Sequence, residues 1–499
     1  LRLDDRRTLV VPDAFPTIQA ALDAAMAGDT VLVREGRYDE HVVFKNGVRL
    51  RGEGRDRTIL GMVPGHTEVL LAEGCGWGVI ESLQVDGTGG TAIGDWRPDG
   101  IHLKGATVRV RDCLVRDCLG AGLYASDAGC RPNVVDCIFE RNAQDGACFQ
   151  KTSAGRIADC IARSNGAVGI QVREGVKGLE IVSCRCAQNK DAGLGVHGGS
   201  SAILTGNDCG GNGAHGILVW DPKTDVVLRG NTCSDNTILG IFVVQQAKAL
   251  VTGSVCERNK ESGIVVSGVG TEARLVENQC SRNEAGEGGQ RAGIVFRDGA
   301  RGTAASNTCD GNQRGILVFG AGTEAELSEN GCGRNAGAGI ELDGAASGKL
   351  VGNRCEGNGH GIVVARTRAT IEENILLRNR GHGIVAHARA VVRAKGNRCE
   401  ENGGAGIHAA GRGTRAEIVS NRCASNEGDG IRVADGAEGT VDDNECRANT
   451  DYGIVAAGSG TRPTIRRNRC TQNGKAGIGK VEGAAPVVED SNEASENGD

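Results

Sequence analysis

Five residues could between them move a proton and neutralise a carboxylate: His102, Lys104, Tyr124, Arg173 and His197. Lys104 and Arg173 are cations that would offset the charge of a bound acid. The imidazoles of His102 and His197 can act as bases, and Tyr124 carries a proton that can be delivered. Asp99, Asp127, Gln150, Gln171 and Glu174 lie among them and offer hydrogen bonds to a polar ligand, while Trp220 and Phe242 add flat apolar surface on which a ring could stack. Side chains this far apart in sequence meet only if the chain returns past the same point at regular intervals.

It does so throughout. In Asn207-Asp208-Cys209-Gly210-Gly211-Asn212 the second Asn belongs to a column that includes Asn142, Asn165, Asn189, Asn236, Asn335, Asn473 and Asn497, with Cys118 in its first place. A Gly and an apolar residue follow each time, as in Gly169-Ile170, Gly240-Ile241, Gly339-Ile340 and Gly453-Ile454. A period of 21 to 24 residues held this long marks a solenoid. Each unit supplies three short strands. In Gly-Ile-x-Val the Ile and Val point inward and x outward, and the Gly permits a bend before the strand. The Asn is expected at a turn, where it tolerates the left-handed conformation and its amide bonds to the rungs above and below. One interval, Asn278 to Asn307, is 29 residues, and the excess at 284–291 is expected to protrude as a loop.

The 20 Cys follow the same register. Twelve, from Cys186 to Cys470, stand three residues before the column Asn, and four, Cys113, Cys137, Cys160 and Cys184, stand five before it. Stacked rungs about 4.8 Å apart hold parallel Cβ vectors about 1 Å too far apart for relaxed bridging, so these read as free thiols filling the core. A single-file column cannot supply tetrahedral ligands and no C-x-x-C pair exists, so no metal is expected; Ca²⁺ has no motif to hold it. A reduced interior points to the cytoplasm.

With 57 basic against 63 acidic residues, a net charge of -6 and no Lys/Arg-rich run, nucleic acid is not an expected partner. No apolar run reaches the roughly 20 residues a bilayer span needs, and Leu1 to Leu9 lacks the apolar segment of a signal peptide. The chain begins without Met, so a preceding segment is expected to have been removed. The last rung, Pro486 to Asp499, keeps the repeat and stops without a cap, which suggests self-association or a missing domain.

Residues 1–30 differ from the rest. Ile18, Ala21, Leu22 and Ala25 lie at helical spacing and Gly28 stops the run, so an amphipathic helix is expected to cap the solenoid. Residues 31–110 read as irregular first rungs and 111–499 as regular repeats. Pro16-Thr17-Ile18-Gln19-Ala20-Ala21, Gly28-Asp29-Thr30-Val31-Leu32-Val33, Gly36-Arg37-Tyr38 and Leu50-Arg51-Gly52-Glu53-Gly54 resemble the opening of right-handed parallel β-helix proteins of the pectin-lyase-like superfamily. The later units resemble NosD-type and carbohydrate-binding/sugar-hydrolase (CASH) repeats. The resemblance implies an all-β fold: one right-handed parallel β-helix of about twenty rungs, about 100 Å long, with an N-terminal capping α-helix.

Function is then expected on the outward side chains of one strand column, which falls into zones. The first runs from Asp99 to His197 and includes Lys151 and the one-off insertion Asp95-Trp96-Arg97-Pro98-Asp99-Gly100. Joined to the resemblance, its residue types imply a carbohydrate-active protein that binds an extended, uronate-containing polysaccharide, with lyase or epimerase as its reaction if it is an enzyme. The Asp-Pro-His signature of alginate epimerases and the acidic Ca²⁺ cluster of pectate lyases are both missing. The second zone, Leu218, Trp220, Phe242, Val244, Val265, Val295, Leu317 and Phe319, is apolar and supports the alternative, a non-catalytic scaffold that docks a partner protein or a second copy of the chain. The third, with Glu341, Asp343, His387, His408, Arg432 and Asp435, reads as scattered solvated surface, and His360 and His382 as turn or exposed residues.

Overall fold

The computed structural model describes residues 7–283 and 291–498. The expected loop at 284–291 thus lies, apart from Arg291, outside the described residues. The chain divides into two compact units, Leu1–Leu250 and Val251–Asp499, and each is an all-β parallel solenoid.

In the first unit a single helix, Ile18–Ala24, precedes the regular rungs. Thr17 caps it by accepting from Ala20 N at 3.1 Å, and the Glu40 carboxylate takes the free Ile18 and Gln19 N–H groups at 2.9 and 3.1 Å. Ile18, Ala21 and Leu22 are fully buried, so the expected apolar face packs inward. Each later turn contributes up to three strands, and equivalent strands of successive turns pair in parallel. Glu68–Glu73, Asp99–Lys104, Leu123–Ser126, Ala147–Gln150 and Ile170–Arg173 form one such column. Its alternate residues Ile101, Leu103, Leu123, Ala125, Ile170 and Val172 are wholly buried, which puts the residues between them on the outer face.

In the first unit the Asn column is a hydrogen-bond ladder from Asn142 to Asn236. Asn165 donates its backbone N and its Nδ2 to Asn189 Oδ1 at 3.2 and 2.9 Å, and Nδ2 also reaches Phe139 O at 3.1 Å. The Asn itself is not left-handed. That conformation belongs to the residue before it: Arg141, Ser164 and Gln188 have φ of 53, 56 and 58°. Its position at the turn follows from the amide bonds rather than from tolerance of positive φ. A second ladder passes from Cys184, whose N–H donates to Asn207 Oδ1 at 2.9 Å, to Asn207 and Asn231.

The Gly before each inward Ile is also explained differently from the expected bend. At Gly169 a Cβ would stand 2.6 Å from Gly193 O and 2.7 Å from Asn189 Nδ2. The Asn ladder and the next rung close over this position, leaving room for hydrogen alone.

The second unit repeats the plan. Ile294, Ile316 and Ile340 stack in register, as do Cys309, Cys332 and Cys355. Two Asn ladders run through it, from Asn278 to Asn492 and from Asn283 to Asn497. All 20 Cys are free and buried. Burial pushes thiols such as Cys118, Cys186 and Cys209 well above their ordinary pKa.

Candidate functional site

In the first unit the outer face of the column from Glu68–Glu73 to Ala147–Gln150 opens into a cavity of about 480 Å³. Its walls include Glu68, Trp96, His102, Lys104, Tyr124, Ser126, Asp127 and Gln150. Ser126 pairs with Lys104 across the rung, two residues along from His102, so its hydroxyl and the imidazole share one face. His102 Nε2 and Ser126 Oγ are 2.9 Å apart.

On the other side His102 Nδ1 lies 3.6 Å from Glu68 Oε2. Glu68 also meets His41 Nε2 at 3.1 Å through Oε1 and accepts from Thr67 Oγ1 at 2.7 Å. Burial works to raise this carboxyl, but His102, Thr67 and His41 outweigh it and hold Glu68 at about 2. Glu68 is therefore an anion across the working pH range.

Aromatic rings line the same wall. Trp96, on the expected insertion, lies 5.9 Å edge-on from Tyr124 and 6.4 Å from His102, and His102 lies 4.9 Å from Tyr124. Trp96 is 40% exposed and is tied back by Nε1 to Thr67 O at 3.3 Å. Tyr124 Oη donates to Gln150 Oε1 at 2.7 Å, Arg173 Nε donates to the same oxygen at 3.1 Å, and Gln150 Nε2 donates to Glu174 at 2.7 Å. Burial pushes the Tyr124 hydroxyl up to about 12. Lys104 and Lys151 pair with Glu73 and Glu174 at 2.8 and 3.3 Å.

The structure thus gathers His102, Lys104, Tyr124, Asp127, Gln150, Arg173 and Glu174 around one cavity or its immediate margin. Three expected residues are not open ligands. Asp99 is buried beneath the rung and accepts from Ala121 N at 2.7 Å; burial pushes it up to about 8. Gln171 is 5% exposed, and His102 at 8% is buried too, reaching the cavity by its ring edge rather than standing on the surface. His197 is displaced from the cluster: it stacks on Trp220 at 4.0 Å and meets Asp221 at 3.2 Å, with burial holding its pKa low. Phe242 packs near His215 at 5.3 Å. Glu68, His41, Ser126 and Trp96 were not among the expected ligands; Ser126 falls on the outward strand column beside Tyr124 and Trp96 on the insertion, while Glu68 and His41 carried no such signal.

The apolar second zone is less open than its sequence suggests. Trp220 and Phe242 are half-buried, and in the second unit Val265, Val295 and Leu317 are at most 3% exposed. The third zone is less scattered. His360 stacks on His382 at 5.6 Å, and His382 meets His408 through Nε2 and Nδ1 at 3.3 Å. Among the described residues no group of three or more His, Cys, Asp or Glu could hold a metal ion, and no helix is long and apolar enough to cross a membrane.

The family described as right handed beta helix region matches residues 93–185, 129–280, 278–423 and 413–497. No curated protein matches the sequence. Among solved structures the chain is similar to the A-module of mannuronan C-5 epimerase AlgE6 of Azotobacter vinelandii, at 17% identity over 70% of this chain and 94% of that one, with a TM-score of 0.42. It is similar also to pectate lyase Pel9A, at 14% identity over 64% and 77%, TM-score 0.32. A third is the catalytic domain of a GH87 α-1,3-glucanase, at 11% identity over 82% and 66%, TM-score 0.35. Likeness at this level says nothing of the substrate or reaction of this chain.

Proposed function

Starting from a chain that belongs to the right-handed β-helix family, we propose that the cavity over Glu68–Gln150 binds an extended, uronate-containing polysaccharide. The observation that carries this reading is the joining of the Trp96–His102–Tyr124 aromatic wall to the cation Lys104 within one open cavity, with Arg173 at its margin on Gln150. Aromatic faces suit the apolar side of a sugar ring, and Arg173, reaching Gln150 from the next rung, is placed to meet a carboxylate. The parallel stack extends this surface rung by rung, which suits a chain-like ligand better than a compact one.

For cleavage or epimerisation at C5, Arg173 would neutralise the uronate and Tyr124, protonated at neutral pH, would serve as the acid. With His197 drawn toward Trp220 and Asp221, the cluster supports binding more directly than this chemistry. Incubation with a panel of uronans tests the reaction: unsaturated products by absorbance, or altered C5 configuration by NMR, would establish it. Unchanged polymers that still bind would leave a glycan-binding protein.

A further inference from the structure

We infer that Ser126, His102 and Glu68 form a nucleophilic triad that hydrolyses a carboxylic ester. The inference rests on the proposed binding cleft only for its substrate, an ester substituent carried on a glycan chain; the triad itself stands on geometry.

His102 stands between the other two groups, with Nε2 toward Ser126 and Nδ1 toward Glu68. A carboxylate has no proton to give, so Glu68, 3.6 Å from His102 Nδ1, favours the tautomer with the proton on Nδ1. Nε2 is then a bare lone pair, and it faces Ser126 Oγ at 2.9 Å, so that the hydroxyl donates to it. Catalytic hydrogen bonds in a ligand-free site are commonly longer than in the complex, and the outer contact fits that pattern. His41 and Thr67 hold the remaining positions on Glu68 and restrict how its carboxylate can turn.

The backbone after Ser126 adds a further element. Ser126 ends the strand Leu123–Ser126, and Asp127 takes φ of 75°. A left-handed residue straight after a nucleophile turns the chain sharply at the end of a strand and leaves the following N–H available to a developing oxyanion. Some turns at this corner use that N–H within the solenoid: Gly105 N donates to Ser126 O at 2.9 Å, and Lys151 N to Arg173 O at 3.4 Å. Asp127 N, like Glu174 N, Asp298 N and Arg366 N at the same corner, donates to no backbone oxygen among the described residues, which leaves it free to meet the oxyanion. Lys104 and Trp96 line the same cavity, where an acyl group and its glycan would sit.

The reaction balances with water alone. Ser126 Oγ attacks the ester carbonyl carbon while its proton passes to His102 Nε2, forming a tetrahedral intermediate. The C–O bond to the alcohol breaks and the imidazolium returns the proton to the departing oxygen, leaving an acyl-Ser126. Water, deprotonated by His102, attacks the acyl carbon, and the carboxylic acid leaves as Ser126 recovers its proton. Ser126 and His102 are catalytic residues here, and Glu68 is a positioning residue.

The test uses the whole chain with a fluorophosphonate probe and 4-nitrophenyl acetate. One phosphonylated site, mapped by mass spectrometry to Ser126, is expected. Ser126→Ala and His102→Ala are expected to lower hydrolysis by about 100-fold or more, with folding checked by circular dichroism. Glu68→Gln should lower kcat with little change in KM, and Glu68→Asp should recover part of it, a split that a merely structural role would not give. No adduct at Ser126, or hydrolysis unaltered in Ser126→Ala, would overturn the triad. Glycan affinity, measured separately by titration, reports on the cleft and is independent of this result.

Discussion

Tyr124 and Arg173, on rungs 49 residues apart in sequence, converge on a single oxygen, Gln150 Oε1, at 2.7 and 3.1 Å. The amide thereby holds a phenol and a guanidinium at one edge of the cavity. A ligand carboxylate reaching Arg173 would gain a charge-assisted hydrogen bond, worth about 1.5–3 kcal/mol. Arg173→Ala should therefore weaken oligouronate binding by about 10- to 100-fold while leaving neutral oligosaccharides little affected. Calorimetric titration of both ligand classes separates the two effects.

The Asn ladders should carry stability rather than activity. Asn335 donates from its backbone N and Nδ2 to Asn358 Oδ1 at 2.9 and 2.8 Å and from Nδ2 to Cys309 O at 3.0 Å, while its own Oδ1 accepts from Asn312 N at 2.9 Å. All four bonds are buried. Asn335→Ala leaves the Asn312 N–H and the Cys309 carbonyl without their partners, which should cost about 2–5 kcal/mol. Urea denaturation should move its midpoint down accordingly, with glycan affinity at 25 °C unchanged.

Histidines in the second unit predict an acid-sensitive stability. His382 Nδ1 accepts from Ala405 N at 2.8 Å and His360 Nδ1 accepts from His382 N at 3.0 Å, so protonating either ring would set two donors against each other. Burial, together with the neighbouring His382 and Arg432, lowers His408 to about 4. A histidine depressed in the folded state leaves the unfolded chain holding more protons between the unfolded and folded pKa values. Stability should fall as pH drops from about 6.5 towards 4, by roughly 3 kcal/mol from His408, and should not depend on this group above pH 7. Thermal melts of the parent chain and His408→Gln across this range should converge above pH 7 and show a shallower acid slope in the variant.

The thiol columns give a chemical prediction. With all 20 Cys free and buried, the native protein should react negligibly with Ellman's reagent on the minute timescale, and every thiol should react in 6 M guanidinium. A native count well above zero would place some of these columns on the surface.

The solenoid was legible in the sequence because its determinants recur: Asn at the turn, Cys three residues before it, Gly-Ile after it. Repetition reveals position but not cause. Asn165 was expected to be left-handed where Ser164 is, and Gly169 was expected to allow a bend where it makes room for the Asn189 amide. The cleft was readable in part. Tyr124, Gln150 and Arg173 fall on the regular repeat, so their convergence follows from counting rungs. Glu68 and His41 lie on early rungs with no repeat to set their register, and Trp96 comes from an insertion. Asp99 occupies the position before the strand Gly, where side chains turn inward to take the next rung's N–H; outward alternation could not have revealed this.

The proposed function requires that the cavity over Glu68–Gln150 receive a glycan. Its most direct test is calorimetric titration of the parent chain and Trp96→Ala with a panel of acidic and neutral oligosaccharides. Trp96 is exposed and on an insertion, so its removal leaves the rungs intact. Saturable binding of at least one oligouronate by the parent is expected, with a loss of about tenfold or more in the variant, the scale expected of a stacking aromatic. No binding by any member of the panel, or binding that Trp96→Ala leaves unaltered, would contradict it.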